Sequence, residues 1–214
     1  MIEKDKIHTI LDEKFIKVYD LEYEEGRHYL NASRRPLDDL VAAKDDDAVK
    51  TMLPDAVSCF VIIRTPGDEP GLLLNYEYRY PAGQFLLSVP AGLIDPKDKE
   101  EDEPLIATAA REIKEETGLQ IKQTDEIHVV NPFVYSTPGM TDESNALVCA
   151  VIDVDNLSQL NQDGAEGSEC FDGFELVTKE KAREILKAGR DKADNFYSVF
   201  TWAALMYFVS DLWK

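Results

Sequence analysis

Residues 92–119 read GLIDPKDKEEDEPLIATAAREIKEETGL, and the second half of this stretch decides how the rest of the chain is interpreted. It predicts a helix from Pro104 to Thr117, because proline suits a first helical turn and Gly118 suits the left-handed position after a helix. With about 100° between successive residues, one side of this helix is mostly apolar. That side consists of Ile106, Ala109, Ala110, Ile113 and Thr117.

Three glutamates lie beside the apolar side, at spacings of three and four residues: Glu112, Glu115 and Glu116. Like charges at these spacings repel each other by roughly 0.2–0.5 kcal/mol per pair. Arg111 precedes Glu115 by four residues and offsets one of the charges. The other two favour a cation, and Mg²⁺ binds to carboxylates together with substrate phosphates. A solvated acidic helix face is the alternative for such a stretch in isolation.

The residues around the glutamates resemble the Nudix box. In that motif a glycine, five residues, a glutamate and seven residues precede Arg-Glu-apolar-x-Glu-Glu-x-Gly-apolar. The matching positions are Gly92, Glu103, Arg111, Glu112, Ile113, Glu115, Glu116, Gly118 and Leu119. Ten residues rather than five separate Gly92 from Glu103, which we attribute to a lengthened loop at residues 95–102. Glu103, with Asp102 as the alternative, is expected to orient Arg111.

The composition is that of a globular protein with a strong negative charge. The 214 residues are 44% hydrophobic, and 42 acidic residues against 23 basic ones give a net charge of −19. A surface of this sign repels phosphate backbones, so we expect no nucleic-acid partner. Cys59, Cys149 and Cys170 are odd in number and lack metal-binding spacing. They predict reduced thiols in or near the core of a cytoplasmic protein.

Neither end of the chain predicts association with a membrane. Residues 1–10 have no apolar core of a signal peptide. Residues 196–213, FYSVFTWAALMYFVSDLW, reach the lower length limit of a membrane span. This stretch also contains two serines, a threonine and Asp211, so a buried C-terminal helix is the better interpretation.

The remaining pattern predicts more strands than helices. Predicted strands cover residues 15–24, 28–35, 56–64, 72–80, 85–90, 127–135, 145–154 and 174–177, and further helices cover 179–188 and 195–213. Residues 36–55 read as a short helical excursion or a surface insertion. This order favours an α/β (α+β) sandwich over a doubly wound sheet. We divide it into an N-terminal β subdomain at 1–50 and a main domain at 51–214.

Two further segments resemble ADP-ribose pyrophosphatases, a group within the Nudix superfamily. They are YEYRYPAGQFLLSVPAGLID at residues 76–95 and STPGMTDES at residues 136–144. The resemblance implies a Nudix fold, a mixed sheet between helices, and hydrolysis of ADP-ribose to AMP and ribose 5-phosphate. The implied cofactor is Mg²⁺, with Mn²⁺ as an alternative. Another nucleoside diphosphate sugar as substrate, or a catalytically silent nucleotide-binding domain, are the competing interpretations.

The resemblance also implies roles for individual residues in the reaction. The metal ligands would be Glu112, Glu115, Glu116 and the backbone carbonyl of Ala91, with Arg111 orienting Glu115. The general base would come from the acidic loop at residues 163–169, DGAEGSE. Within that loop Glu166 is the first candidate and Glu169 the second, and a solvated loop without a role is the alternative.

Substrate contacts are implied in the same way. Arg79 would bind a phosphate, and Glu143 would contact the terminal ribose. Enzymes of this group are homodimers that exchange N-terminal strands, so that Tyr23, Tyr29 or Arg34 would line the adenine pocket. The alternatives are a surface arginine at position 79 and N-terminal side chains that pack only on their own sheet.

Overall fold

The computed structural model describes residues 1–165 and 167–214, which form two compact units. One unit contains Met1–Asp55 together with Pro132–Asn145, and the other contains Ala56–Asn131 together with Ala146–Lys214.

Cys59 and Cys149 are buried as expected, whereas the prediction of a core or near-core position was wrong for Cys170, which is exposed.

The first unit is built on a three-stranded antiparallel sheet in the order β1-β2-β3. Its strands are β1 (Ile7–Asp12), β2 (Lys17–Glu24) and β3 (Arg27–Ser33). The sequence predicted β2 and β3 but not β1. Only the first residue of β1 is buried, so this strand lacks the alternation of apolar and polar residues that marks a half-buried strand. Ile7, Tyr19, Leu21 and Leu40 form the core of the unit.

Residues 36–55 contain helical turns, as expected for a short helical excursion, which was one of the two interpretations of this segment. Two 3₁₀ turns, Leu37–Asp39 and Val41–Ala43, precede α1 (Asp46–Thr51), whose first turn is capped by the Asp45 side chain. At the end of this segment, the buried side chains of Arg35 and Asp55 form an ion pair at 3.0 Å. Asp55 also accepts hydrogen bonds from the N–H and the hydroxyl of Ser144, both at 3.0 Å, which fixes the end of the 136–143 loop within this unit.

The second unit contains most of a seven-stranded sheet, of which residues 132–135 and 144–145 belong to the first unit. Its strands are β4 (Ala56–Arg64), β5 (Gly71–Arg79), β6 (Gln84–Ser88), β7 (Ala91–Leu93), β8 (Glu126–Tyr135), β9 (Ser144–Asp153) and β10 (Phe171–Val177). The order is β10-β5-β4-β9-β8, with β6 paired to β5 and β7 paired to β4. Every residue of β4 except Arg64 is buried, because this central strand is covered on both faces.

Helices cover the two faces of this sheet: α2 (Pro104–Thr117), α3 (Lys179–Ala188) and α4 (Val199–Ser210). On one face Val57, Val61 and Ile63 share a buried cluster with Ala109 and Ile113 of α2. On the opposite face the buried cluster contains Phe60, Ile62, Ala182, Ile185, Ala204, Leu205 and Phe208, which come from β4, α3 and α4. The expected mixed sheet between helices is therefore confirmed.

The predicted ends of α2 are correct. Gly118 has a φ of +74° and its N–H donates to the carbonyl of Lys114 at 2.9 Å, which is the glycine cap that the sequence predicted. The C-terminal helix is shorter than predicted, since α4 has 12 residues between Ser198, which caps it, and Asp211. In the described ranges, no helix has both the length and the apolar content needed to cross a membrane.

Candidate active site

Two glutamates of α2 point toward the sheet and are buried. Glu112 is 5% exposed and Glu116 is 2% exposed. The two carboxylate oxygens of Glu116 accept hydrogen bonds from Asn75 Nδ2 at 2.7 Å and from the N–H of Ala91 at 3.2 Å. Because the carboxylate is removed from water, burial raises the pKa of Glu116 well above its ordinary value. Helix α2 and strands β5 and β7 therefore meet at one buried carboxylate.

Glu112 lies directly against the backbone of Gly92 in β7. A Cβ atom at position 92 would be 2.0 Å from Glu112 Oε1, so no other residue fits there without displacing the carboxylate. Burial raises the pKa of Glu112 to about 7, although the neighbouring Arg111 acts in the opposite direction. Position 92 needs a glycine because a side chain would collide with Glu112, and not because the backbone there has an unusual conformation.

Arg111 joins the acidic residues of the site. Its Nη1 donates to Glu112 at 2.6 Å and to Glu115 at 2.9 Å. Its Nε and Nη2 donate to Asp98 at 3.2 and 2.8 Å, and Nη2 also donates to the carbonyl of Leu93 at 2.9 Å. The planar guanidinium is therefore held on one side by Asp98 and orients two glutamates on the other.

The expectation that Glu103 or Asp102 orients Arg111 was wrong, since Asp98 does so. Glu103 is the residue before the first turn of α2, and its side chain makes no capping hydrogen bond. Five residues separate Gly92 from Asp98, which is the spacing of the motif, and twelve rather than seven separate Asp98 from Arg111. The additional residues thus follow the acidic position instead of preceding it. Counting forward from Gly92 would have found Asp98.

Strand β5 contributes a row of polar side chains, Asn75, Glu77 and Arg79, which share one face because alternate residues of a strand point the same way. Glu77 is 8% exposed and its Oε2 lies 2.6 Å from Nη2 of Arg79. Its charge contributes to the raised pKa of Glu116, which places it beside the carboxylates of α2. Sequence reasoning missed Glu77, since nothing in its neighbours indicates that this strand residue is buried.

The acidic loop starts beside α2 and ends beside β5. A Cβ atom at Gly164 would be 2.4 Å from the backbone oxygen of Glu115, and the carbonyl of Cys170 accepts the N–H of Tyr78 at 2.8 Å. Burial is the main cause of the raised pKa values of Glu112 and Glu77, and the negative charge of Glu169 adds to both, so Glu169 lies near these carboxylates. Glu166, the first candidate for the general base, lies outside the described residues.

The other predicted substrate-binding residues come together in the first unit. Arg34 Nε donates to Glu143 Oε1 at 2.5 Å, and the hydroxyl of Tyr29 donates to the carbonyl of Gly139 at 2.5 Å. These contacts join β3 and the residue that follows it to residues 139 and 143 within a single chain. Tyr23 is exposed at the end of β2. Binding of adenine or ribose by these side chains stays a prediction.

The donor set of the second unit suits a hard divalent cation. In residues 1–165 and 167–214, no three His, Cys, Asp or Glu side chains already converge as a complete metal site. Glu112 and Glu115 accept from Arg111, and Glu116 accepts from Asn75 and Ala91. Asn75 Oδ1 is nevertheless buried without a hydrogen-bond donor. The carboxylates of Glu112, Glu115 and Glu116 carry more negative charge than Arg111 neutralises. Mg²⁺ and similar ions prefer such oxygen ligands.

A family model of the NUDIX domain matches residues 52–200, which is more than half of the chain. The chain therefore belongs to the Nudix family. Over 132 residues it is 30% identical to an uncharacterized Nudix hydrolase of Schizosaccharomyces pombe. The aligned residues are 61% of this chain and 60% of the relative. Over 135 residues it is 31% identical to the ADP-ribose pyrophosphatase of Saccharomyces cerevisiae. The aligned residues are 59% of this chain and 54% of the relative.

The chain thus spans about 60% and 54% of the lengths of these two curated relatives. A crystal structure of an ADP compounds hydrolase matches the fold with a TM-score of 0.53 and 18% sequence identity. That match covers 94% of this chain and 88% of the solved chain, so the fold similarity extends beyond the NUDIX domain.

The raised pKa of Glu112 predicts how stability depends on pH when divalent cations are removed by a chelator. The folded protein holds a proton on Glu112 up to about pH 7, whereas the unfolded chain releases it near pH 4.5. The free energy of unfolding should therefore fall as pH rises from about 4.5 to about 7, by an amount on the order of 3 kcal/mol from this group.

Glu112→Gln removes this contribution, so urea denaturation at several pH values should show a flatter profile than wild type and higher stability at pH 8. Glu103→Gln, which changes an exposed carboxylate near the start of the same helix, serves as the control and should leave the profile unchanged. A steeper profile or lower stability at pH 8 in Glu112→Gln would contradict this prediction, because it would show that the charged form of Glu112 stabilises the folded protein.

Proposed function

We propose that this chain hydrolyses the diphosphate linkage of ADP-ribose to AMP and ribose 5-phosphate, with Mg²⁺ as its cofactor and Mn²⁺ as an alternative. The observation that carries this proposal is the pair of buried glutamates, Glu112 and Glu116, on the motif helix of a Nudix chain. Burial of two neighbouring carboxylates is unfavourable unless they bind a cation. The partial similarity to an ADP-ribose pyrophosphatase supports ADP-ribose as the substrate.

In this proposal Glu112, Glu115, Glu116 and the carbonyl of Ala91 hold the divalent cation. The cation would neutralise the charge of the diphosphate and make a water molecule easier to deprotonate. Arg111 keeps Glu112 and Glu115 in place, and Asp98 keeps the guanidinium in place from its other side. Holding ligands through such partners is a recurring requirement of metal sites.

The remaining steps belong to side chains around the carboxylates. Arg79 lies at the end of β5 and binds a phosphate oxygen of the substrate. Glu166 or Glu169, both on the acidic loop, accepts the proton of the attacking water. Glu169 is favoured by its electrostatic proximity to Glu112, and Glu166 by the glycines at positions 164 and 167, which permit the loop to move.

Two alternatives compete with this proposal. The first retains the chemistry but uses another nucleoside diphosphate sugar, and the second is a catalytically silent domain that binds a nucleotide. The silent domain is disfavoured because Glu112, Glu115 and Glu116 are all present and Arg111 donates to the first two of them. Turnover of ADP-ribose, GDP-mannose and UDP-glucose with product identification, with and without Mg²⁺, separates the three cases.

Glu116→Gln removes one negative charge from the cation site and keeps the size of the side chain. We expect kcat on the preferred substrate to fall by at least about 10²-fold, on the order of 3 kcal/mol, without a loss of thermal stability. Glu103→Gln, at the residue before the first turn of α2, is the matched control and should have wild-type turnover. Near-wild-type kcat in Glu116→Gln would refute its assignment as a ligand.

The general base is tested by Glu166→Gln and Glu169→Gln. The variant that removes the base should slow the chemical step in single-turnover measurements, while the affinity for Mg²⁺ stays close to wild type, because a base is not a metal ligand. A defect in Glu169→Gln alone would assign the base to Glu169. Normal rates in both variants would exclude this loop as the source of the general base.

We also propose a homodimer, in which the first unit contributes to the interface. Apolar side chains are exposed on its sheet, including Ile10 at 59% and Leu30 at 60%, and on the turn between β1 and β2, where Phe15 is 63% exposed. Clustered exposed apolar residues commonly mark an interface, and two-fold dimers are the commonest assembly of soluble proteins. Light scattering at micromolar concentration should give twice the chain mass of 24.2 kDa. A monomer under those conditions would contradict the dimer.

A further inference from the structure

Glu77 is a buried carboxylate for which the proposed reaction has no role. It lies between Asn75 and Arg79 on the face of β5 that meets α2, and it is 8% exposed. Its Oε2 lies 2.6 Å from Nη2 of Arg79, and it lies close enough to Glu116 and Glu169 for the carboxylates to repel one another. One positive charge thus lies beside it and two negative charges lie near it.

A carboxylate is a poor choice for this place if the side chain only fills space. Burial costs free energy for any charged group, and the repulsion from Glu116 and Glu169 adds to that cost. Glutamine has the same size and would avoid both costs. The negative charge of Glu77 must therefore contribute something other than stability, and its direct contact is the guanidinium of Arg79.

Arg79 needs such a contact because of its location. It is the last residue of β5, and its carbonyl accepts the N–H groups of Ala82 and Gly83 in the turn that follows. Its side chain is 45% exposed and long, so many rotamers are open to it unless a partner restricts them. A charge-assisted hydrogen bond to a rigid, buried acceptor restricts them more strongly than a neutral one.

We propose that Glu77 is a positioning residue that holds Arg79 at the edge of the carboxylate cluster, ready for the diphosphate group of the substrate. The guanidinium has five N–H donors, and the bond to Glu77 uses one of them, which leaves the others for phosphate oxygens. This inference rests on the proposed function, because it assumes that a diphosphate is bound beside these carboxylates. It adds a determinant of affinity on β5 that lies outside the motif helix.

The test measures binding of inorganic pyrophosphate by calorimetry in the presence of Mg²⁺, for wild type, Glu77→Gln, Arg79→Ala and the double variant. Glu77→Gln should weaken binding by about fivefold or more, since an ordered side chain becomes disordered. In the Arg79→Ala background the same change should have no further effect. On the preferred substrate, KM should rise by a similar factor while kcat changes by less than about twofold.

Thermal stability separates positioning from a structural role. Glu77→Gln should melt at or above the wild-type temperature, because a repelled, buried charge is lost. Glu175→Gln is the matched control, since Glu175 is a partly buried carboxylate on β10 that accepts from Tyr76 at 2.6 Å and pairs with Lys192 at 3.2 Å. This control should lower the melting temperature and leave pyrophosphate affinity within about twofold of wild type.

Several outcomes would overturn the inference. These are unchanged or tighter pyrophosphate binding in Glu77→Gln, an equal effect in the Arg79→Ala background, an equal loss in Glu175→Gln, or no detectable binding by wild type. Failure of the proposed function is recognised separately. If wild type binds pyrophosphate but cleaves none of the sugar nucleotides, the function is refuted while the binding comparison still decides the role of Glu77.

Discussion

The burial of two like-charged carboxylates, Glu112 and Glu116, is the constraint on which the candidate site depends. Each is accommodated by a specific neighbouring feature. Gly92 leaves room for Glu112, and Asn75 with the N–H of Ala91 supplies hydrogen bonds to Glu116. Helix α2 therefore packs on the sheet through charged groups as well as through Ala109 and Ile113. The packing of this helix and the chemistry of the site cannot be separated.

Such an arrangement sacrifices stability for function. Buried charges are often replaced by apolar residues with a gain in stability, and strained or repelling groups tend to collect at functional sites. Here a single guanidinium, Arg111, serves Asp98, Glu112 and Glu115. Burial alone would raise the pKa of Asp98, but its hydrogen bonds from Arg111 lower it, so Asp98 stays charged and holds the arginine. The deficit of positive charge that remains around Glu112 and Glu116 is what a divalent cation would supply.

The sequence was sufficient for the features that depend on local signals. Pro104 and Gly118 mark the ends of α2, and the continuous apolar run of β4 marks a strand covered on both faces. Tertiary features were harder to predict. Counting forward from Gly92 leads to Asp98 and counting back from Arg111 leads to Glu103, and the fold selects Asp98. Burial of Glu77 depends on α2 and on β10, which are distant in the sequence, and the exposed β1 has no alternating pattern to identify it.

The absence of a side chain at Gly92 leaves the space in which Glu112 would serve a cation site. This role of Gly92 is tested most directly by titrating Mn²⁺ into chelator-treated Gly92→Ala, which retains every carboxylate but places a Cβ atom where Glu112 lies. Gly139→Ala, where a Cβ atom meets nothing within 4 Å, is the control. We expect Mn²⁺ affinity to be at least about tenfold weaker in Gly92→Ala and unchanged in Gly139→Ala. Wild-type affinity in Gly92→Ala would contradict it.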